Sequence, residues 1–563
     1  MQRLGPTALA QALCRQRSTA LLLTVAIGIG ALYAVSLFNI DFLLGRGFWS
    51  NPVGPWLMDA GDAGTSVDML ALVTSYTAYV HAPWQWPIFH IPSLGPPVGT
   101  SGIFVDFLPI IALTGKAISR LAGTVVLPYG AWMGACLLLS ALFATLVMIA
   151  AGQRSLLAAI AASLFAVSAP VLLYRFGHVS LWGQFPLIAA LWLYLRDGET
   201  GSPWRVAGHW ALLLVFALLI NAYIFAMVGA FYAASWLDRL WRREARWWEP
   251  APLVPVLGAA MFVAGFIGRG NSSPFSGNFG LYSMNLLSPL LPQRSVLFPG
   301  MWPIIDATGG QYEGFNYLGA GGLFLLAMAL LRDRPAISRL LARHPAFALI
   351  ALGLTIFAIS QEVHVFGALL LTIPAPSWLI DLCSIFRSSG RMFWPVNYAL
   401  LLGGLVLALR REGSVALTIP LLACLLQIMD TEGLRRRDAF LASGPASEQM
   451  SAAEWGPRLD HAAGLVLSPV YTCTMGPAHR MTIELNHHAA VRGLSTNSVY
   501  DARAKPDCAA ARQAMLEGPW RTDALYVLFD DVVNAVPEAF MPPGLRCARF
   551  PGGRWCLGEG GSP

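Results

Sequence analysis

A mainly α-helical bundle embedded in a bilayer and finished by a soluble C-terminal domain is the fold class this chain predicts, and three observations carry it. First, 56% of the 563 residues are hydrophobic and only 12% charged. Segments such as 19–38 and 132–151 run uncharged for about 20 residues, enough to cross roughly 30 Å of hydrocarbon. Second, arginines gather in alternate loops, as the positive-inside rule requires of a multi-pass protein. Third, the character changes at Thr431. The stretch beyond it is polar, carries 13 basic and 14 acidic residues, and alternates apolar with polar at 465–470 and 524–529, which predicts a small α/β or mainly β domain.

Taken in order, the first span follows Arg3, Arg15 and Arg17 and shows no small-residue cleavage site, so it predicts a retained helix from a cytoplasmic N-terminus. Further apolar runs lie near 128–150, 155–173, 181–195, 206–220, 222–236, 251–267, 316–331, 346–360, 393–409 and 414–430, about 11 transmembrane helices with the first. Threaded this way, 16 of the 24 basic residues up to position 430 fall inside. The threading requires that 104–121, which contains Lys116 and Arg120, not cross; it and 365–373 are expected to be juxtamembrane or re-entrant helical pieces. The result is a transmembrane domain over 1–430, with periplasmic loops 39–127 and 268–315, and a periplasmic domain over 431–563 of a bacterial inner-membrane protein. Cys473, Cys508, Cys547 and Cys556 fall in that last domain, an even number where disulfides persist. Three pairings are open, and Cys473–Cys508 with Cys547–Cys556 is the simplest. Cys14, Cys136, Cys383 and Cys424 lie near or within spans and read as packing residues.

With the sides assigned, most unusual polar residues fall on the outer face. Asp59, Asp62 and Asp68, with Asp106 further on, sit in a Trp/Pro-rich loop after the first span. Arg175 and His178, Asn221, the stretch holding Tyr312 and Glu313, and Arg387 with Arg391 follow from other loops. A carboxylate near a membrane interface with arginines and a histidine from other helix ends suits sugar transfer from a lipid phosphate. The acid serves as general base on an acceptor hydroxyl, while Arg and His neutralise the departing phosphate. Arginine fits that task through its planar fork and permanent charge. Each residue also has a plainer role: a loop aspartate caps a helix, a terminal arginine snorkels, His178 fills a polar niche. Arg387 and Arg391 share a face if their helix begins early enough. Glu313 is harder to explain that way, because a carboxylate at membrane depth is expensive unless paired or used.

Several blocks together resemble an uncharacterised bacterial polytopic membrane protein family related to GT-C superfamily glycosyltransferases. They are Pro83-Trp84-Gln85-Trp86-Pro87, Val105-Asp106-Phe107-Leu108-Pro109, Arg175 with His178, and Asn221-Ala222-Tyr223. With them go the run from Gly310 to Gly319, Phe386-Arg387-Ser388-Ser389-Gly390-Arg391, and Gln427-Ile428-Met429-Asp430. The resemblance covers nearly all of residues 20–435. It implies a bundle with a catalytic acid in a large first outer loop, mapping onto Asp59 or Asp62 with Asp68 in reserve, and an undecaprenyl-phosphate-type sugar donor used with inversion. The donor phosphate then falls to Arg387, Arg391, Arg175 and His178. Tyr312, Glu313, Asn221 and Asp106 are further site candidates. No clean Asp-x-Asp pair is present, so a divalent metal (Mg or Mn) is left open. The acceptor is an envelope glycan, lipid or protein; membrane lipids are partners and nucleic acid is not. The rivals are a transporter or flippase of a lipid-linked saccharide, disfavoured because no internal repeat appears, and a non-catalytic envelope-glycan-binding scaffold.

Overall fold

The computed structural model describes residues 16–46, 60–105, 107–199, 202–266, 279–299, 306–410, 415–443, 448–474, 477–501, 507–531, 533 and 535–558, with the side chains of 60–67 and 477 left out. The chain is mostly helical and divides into two compact units. One comprises residues 1–44, 129–259 and 275–443; the other comprises 45–128, 260–274 and 444–563.

Among the described residues of the first unit five helical stretches are long and apolar enough to cross a membrane: Thr19–Leu37, Tyr129–Ala150, Leu156–Leu173, Ser389–Leu409 and Val415–Ser443. A sixth candidate is the pair Arg334–Arg343 and Pro345–Ile359, bent by 98° at His344. Other expected spans coincide with shorter helices, such as Phe185–Arg196 of 12 residues, Pro203–Leu218 of 16 and Ala320–Arg332 of 13. Small residues set the packing: a Cβ on Gly30 would lie 2.7 Å from the Leu138 backbone, so Thr19–Leu37 and Tyr129–Ala150 meet nearly backbone to backbone.

The Val415–Ser443 helix runs 13 residues past the compositional change at Thr431. Along it Asp430 caps its neighbour, accepting from the Ala320 N–H at 2.7 Å, and Gln427 accepts from Gly322 N at 3.1 Å. These are first-turn donors that a helix leaves unsatisfied. Residues 365–373 are not helical. They belong to an antiparallel hairpin, Glu362–Val365 with Ala368–Thr372, that turns at Phe366-Gly367 and leaves Leu369, Leu370 and Leu371 exposed. The run is too short for a helical span, and Phe366 adopts positive φ at the turn.

The second unit contains an α/β domain. Its mixed five-stranded sheet has the spatial order Ser495–Thr496, Gly464–Ser468, Ala524–Phe529, Gly553–Gly558, Leu545–Phe550; the first three strands are parallel and the last two pair antiparallel. All of Ala524–Phe529 is buried. Leu525, Val527 and Phe529 pack with Trp455 and Leu485 on one face, while Tyr526 and Leu528 pack with Met515 on the other. Cys473–Cys508 and Cys547–Cys556 form the two disulfides. The first-loop segment belongs to the same unit. Leu94 bridges Thr496 in parallel, with Gly95 N donating to Thr496 O at 2.8 Å and Thr496 N to Ser93 O at 2.9 Å, so residues 93–95 extend the sheet edge. Leu70 and Ala71, on the helix Ala60–His81, pack against Tyr471 and Ile483.

Candidate functional site

Glu313 is the centre of the first unit's most charged buried cluster. It sits in the 3-10 turn Gln311–Gly314, facing the short 3-10 segment Ser389–Phe393 that carries Arg391. Two glycines make the approach possible. A Cβ on Gly390 would lie 2.5 Å from the Gly314 Cα, and one on Gly314 would lie 2.1 Å from Ser283 O. Asn316 fastens the joint, donating to Gly314 O at 3.0 Å and Gly390 O at 2.9 Å, and Asn397 donates to Asn316 O at 3.0 Å.

Arg391 meets the carboxylate edge-on, with Nε donating to Oε2 at 2.9 Å and Nη2 to Oε1 at 2.7 Å. Arg175 donates to the same carboxylate, and its Nη2 reaches Glu313 O at 2.6 Å. His178 Nε2 lies 3.4 Å from Oε1; its side chain is 26% exposed against 5% for Glu313. Aromatic rings frame the cations. Arg391 lies 4.8 Å from the Tyr223 ring, and Arg175 lies 5.4 Å from Trp394 and 5.5 Å from Tyr174. Arg437 approaches the same Tyr174 ring at 5.5 Å and donates to Leu173 O.

Burial alone would drive Glu313 towards its neutral form. The Arg175 and Arg391 guanidiniums override it and hold the carboxyl well below the usual carboxylate range. Glu313 therefore sits as an anion between two arginines. Two guanidiniums share its carboxylate, with the partly exposed His178 beside them.

The other predicted residues separate. Arg387 lies 5.6 Å from the Tyr282 ring and Tyr312 stacks edge-on to the same Tyr282 at 6.2 Å. Arg387 and Arg391 do not share a helix face: the α-helix begins only at Trp394, and Ser388 N is taken by the Tyr223 hydroxyl at 2.9 Å instead of a helical carbonyl. Asn221 is a helix cap, accepting from Tyr223 N at 2.9 Å while donating to Ser180 Oγ at 3.0 Å. Asp68 is on a helix and not in a loop; it lies in the second unit beside Tyr471, whose hydroxyl burial and then the Asp68 charge push upward in pKa. Asp59, Asp106 and the Asp62 side chain lie outside the described residues. Among the described residues no His/Cys/Asp/Glu group is placed to hold a metal. Sequence reasoning missed Trp394 and Arg437, whose only signal is adjacency to Arg391 and Asp430.

A second buried cluster in the same unit inverts the first. Arg239 pairs with Glu249, Nη1 to Oε2 at 3.1 Å, and lies 3.9 Å from Asp197, which accepts from Trp210 Nε1 at 2.8 Å and from Ser235. Burial outweighs those partners and raises Asp197 above its ordinary 3.8.

Residues 26–432 match the family described as a domain of unknown function, DUF6311, and residues 454–558 match its C-terminal domain. The chain belongs to the DUF6311 family. No curated protein matches it. In DUF6311 terms, the Glu313 cluster lies wholly within the larger matched region, and the boundary with the C-terminal domain falls near the end of the Val415–Ser443 helix.

Proposed function

We propose that this protein is an inner-membrane glycosyltransferase, inverting and GT-C-like, which moves a sugar from an undecaprenyl-phosphate-type donor to a cell-envelope glycan, lipid or protein on the periplasmic face. The observation that supports it best is the convergence of two buried guanidiniums and the partly exposed His178 on Glu313. Cationic groups gathered in a low-dielectric setting are what a departing phosphate needs. In this mechanism the acceptor hydroxyl oxygen bonds to the anomeric carbon as the bond from that carbon to the phosphate oxygen breaks. A first-loop carboxylate, Asp62 ahead of Asp59 and Asp68, takes the hydroxyl proton. Polyprenyl phosphate leaves with the bonding electrons, and its charge is met by Arg175, Arg391 and His178. The Nε–Nη2 edge of Arg391 is already held by Glu313, so Glu313 positions the charge and the cluster as a whole meets the phosphate.

The eleven-span threading is part of the proposal. The grouping of residues 45–128, 260–274 and 444–563 in one folded unit supports it, because segments of one unit are expected on one side of a membrane, with an even number of spans between them. The threading places six between the first two segments and four between the last two. An active alkaline-phosphatase fusion at the C-terminus, with a dark green-fluorescent one, is the expected result, and the opposite pattern overturns it.

The decisive assay follows a labelled polyprenyl-phosphate sugar in membranes holding Asp59→Asn, Asp62→Asn or Asp68→Asn. Loss of the base lowers the rate by about 10² to 10⁴ while donor binding survives. Should all three variants transfer normally, or the wild type move the donor across the bilayer intact, the transferase reading fails in favour of transport.

A further inference from the structure

The C-terminal domain has a cavity of its own. In its sheet the chain leaves the Gly464–Ser468 strand on one side, through the helix Pro477–Val491 to Ser495–Thr496, and returns on the other, through the helix Cys508–Glu517 to Ala524–Phe529. Connections that diverge around a central parallel strand open a crevice beyond its carboxyl end, where open α/β sheets bind ligands. A cavity of about 470 Å³ lies there, within the size range of small-molecule sites.

Its walls are of two kinds. Pro469, Met515, Pro519 and Trp520 provide an apolar, partly aromatic surface, and Arg512 and Arg521 provide the charge. Arg521 is already paired with Asp523, through two contacts of 2.9 Å. Arg512 differs: its Nε is buried and finds no hydrogen-bond acceptor among the described residues. Among the described residues no carboxylate lines the cavity. Cys473 and Cys508 both line it, so their disulfide ties the turn after the central strand to the helix that carries Arg512.

We infer that this cavity binds a small anionic ligand with a ring, its carboxylate or phosphate on Arg512 and its ring against Trp520, with a sugar acid or sugar phosphate as the chemical class. Arg512 lines the cavity with no ion pair to a described carboxylate, and a guanidinium takes either anion through parallel N–H bonds. Trp520 supplies the flat apolar face that a sugar ring stacks on. The assignment concerns the second unit alone and does not depend on the transfer chemistry proposed above.

The test is calorimetric titration of the full-length protein in detergent with D-glucuronate, glucose 1-phosphate, glucose and inorganic phosphate. Saturable binding of glucuronate, glucose 1-phosphate or both is expected, with glucose and phosphate each at least about tenfold weaker, the worth of one charge-assisted contact. Arg512→Gln should weaken the anionic sugars by a similar factor. Ala511→Phe, which fills the cavity from the helix, should abolish binding while the thermal melt stays unchanged. The inference is overturned if neither anionic sugar binds, if phosphate alone binds as tightly as glucose 1-phosphate, or if both variants bind like the wild type.

Discussion

Around Glu313 one carboxylate serves two arginines, whereas around Arg239 one arginine serves two carboxylates, Asp197 and Glu249. Both groups are buried in the same helical unit, yet they answer to pH differently. Asp197 can take up a proton, and its raised pKa favours that. Arginine does not shed one, so Arg175 and Arg391 stay charged over the same range. The identity of the shared residue, a carboxylate in one group and a guanidinium in the other, therefore decides which of them protonation can adjust.

The largest expected effect comes from Glu313→Gln, which removes the carboxylate that two buried guanidiniums share and should cost roughly 3–5 kcal/mol. Arg239→Gln should cost a similar amount at neutral pH. The comparison is sharpened by acid. Lowering the pH protonates Asp197 and restores Arg239→Gln in part, while in Glu313→Gln acid can only add charge, at His178, beside the two arginines, and the variant stays destabilised. Thermal melts of both variants across pH decide it, and equal recovery would end the distinction.

In the wild type the two carboxylates pull in opposite directions below neutrality. Glu313 is held under its ordinary 4.5, so its contribution is present above that value and is lost as pH falls through its folded pKa. Asp197 lies above its ordinary 3.8, so its contribution is full below that value and is lost as pH rises through its folded pKa. Between these limits Asp197→Asn should flatten one slope and leave the other, which melts from pH 3 to 7 would show.

Arg391→Lys keeps the charge but loses the planar fork that grips both Glu313 oxygens. Transfer should fall more than tenfold with a stability loss of only about 1–2 kcal/mol. A parallel loss of folded protein would reduce Arg391 to a structural role. The smallest effect is that of Asp197→Asn on stability at neutral pH, about 1 kcal/mol or less, since burial already favours the neutral form and the amide can still accept from Trp210 and Ser235.

The helical, apolar character of the chain, the separate C-terminal sheet domain and its two disulfides were legible because each depends on composition or on residue count. The Glu313 cluster was half legible. Its residues could be singled out as costly, but their convergence depends on Gly314 and Gly390, whose missing side chains let two loops touch. Composition does not record which glycine faces which. Residues 365–373 were misread as helical because a short apolar run has no period of its own, and the Phe366-Gly367 turn decides it. Asp62 and Asp68 read as loop residues because the Pro/Trp-rich stretch that follows dominates the segment, although Ala60–His81 forms a helix that packs against Pro477–Val491, about 400 positions away.

The pairing of Leu94 with Thr496 sets a schedule for biogenesis. A ribosome adding about 5–20 residues per second needs roughly 20–80 s to travel from one to the other. Through that interval the segment around residue 94 has emerged without the strand it will join. It has to be kept from pairing with neighbouring chains by a chaperone or by its own prolines, so cells short of holdases should accumulate this protein poorly even when every helix has formed.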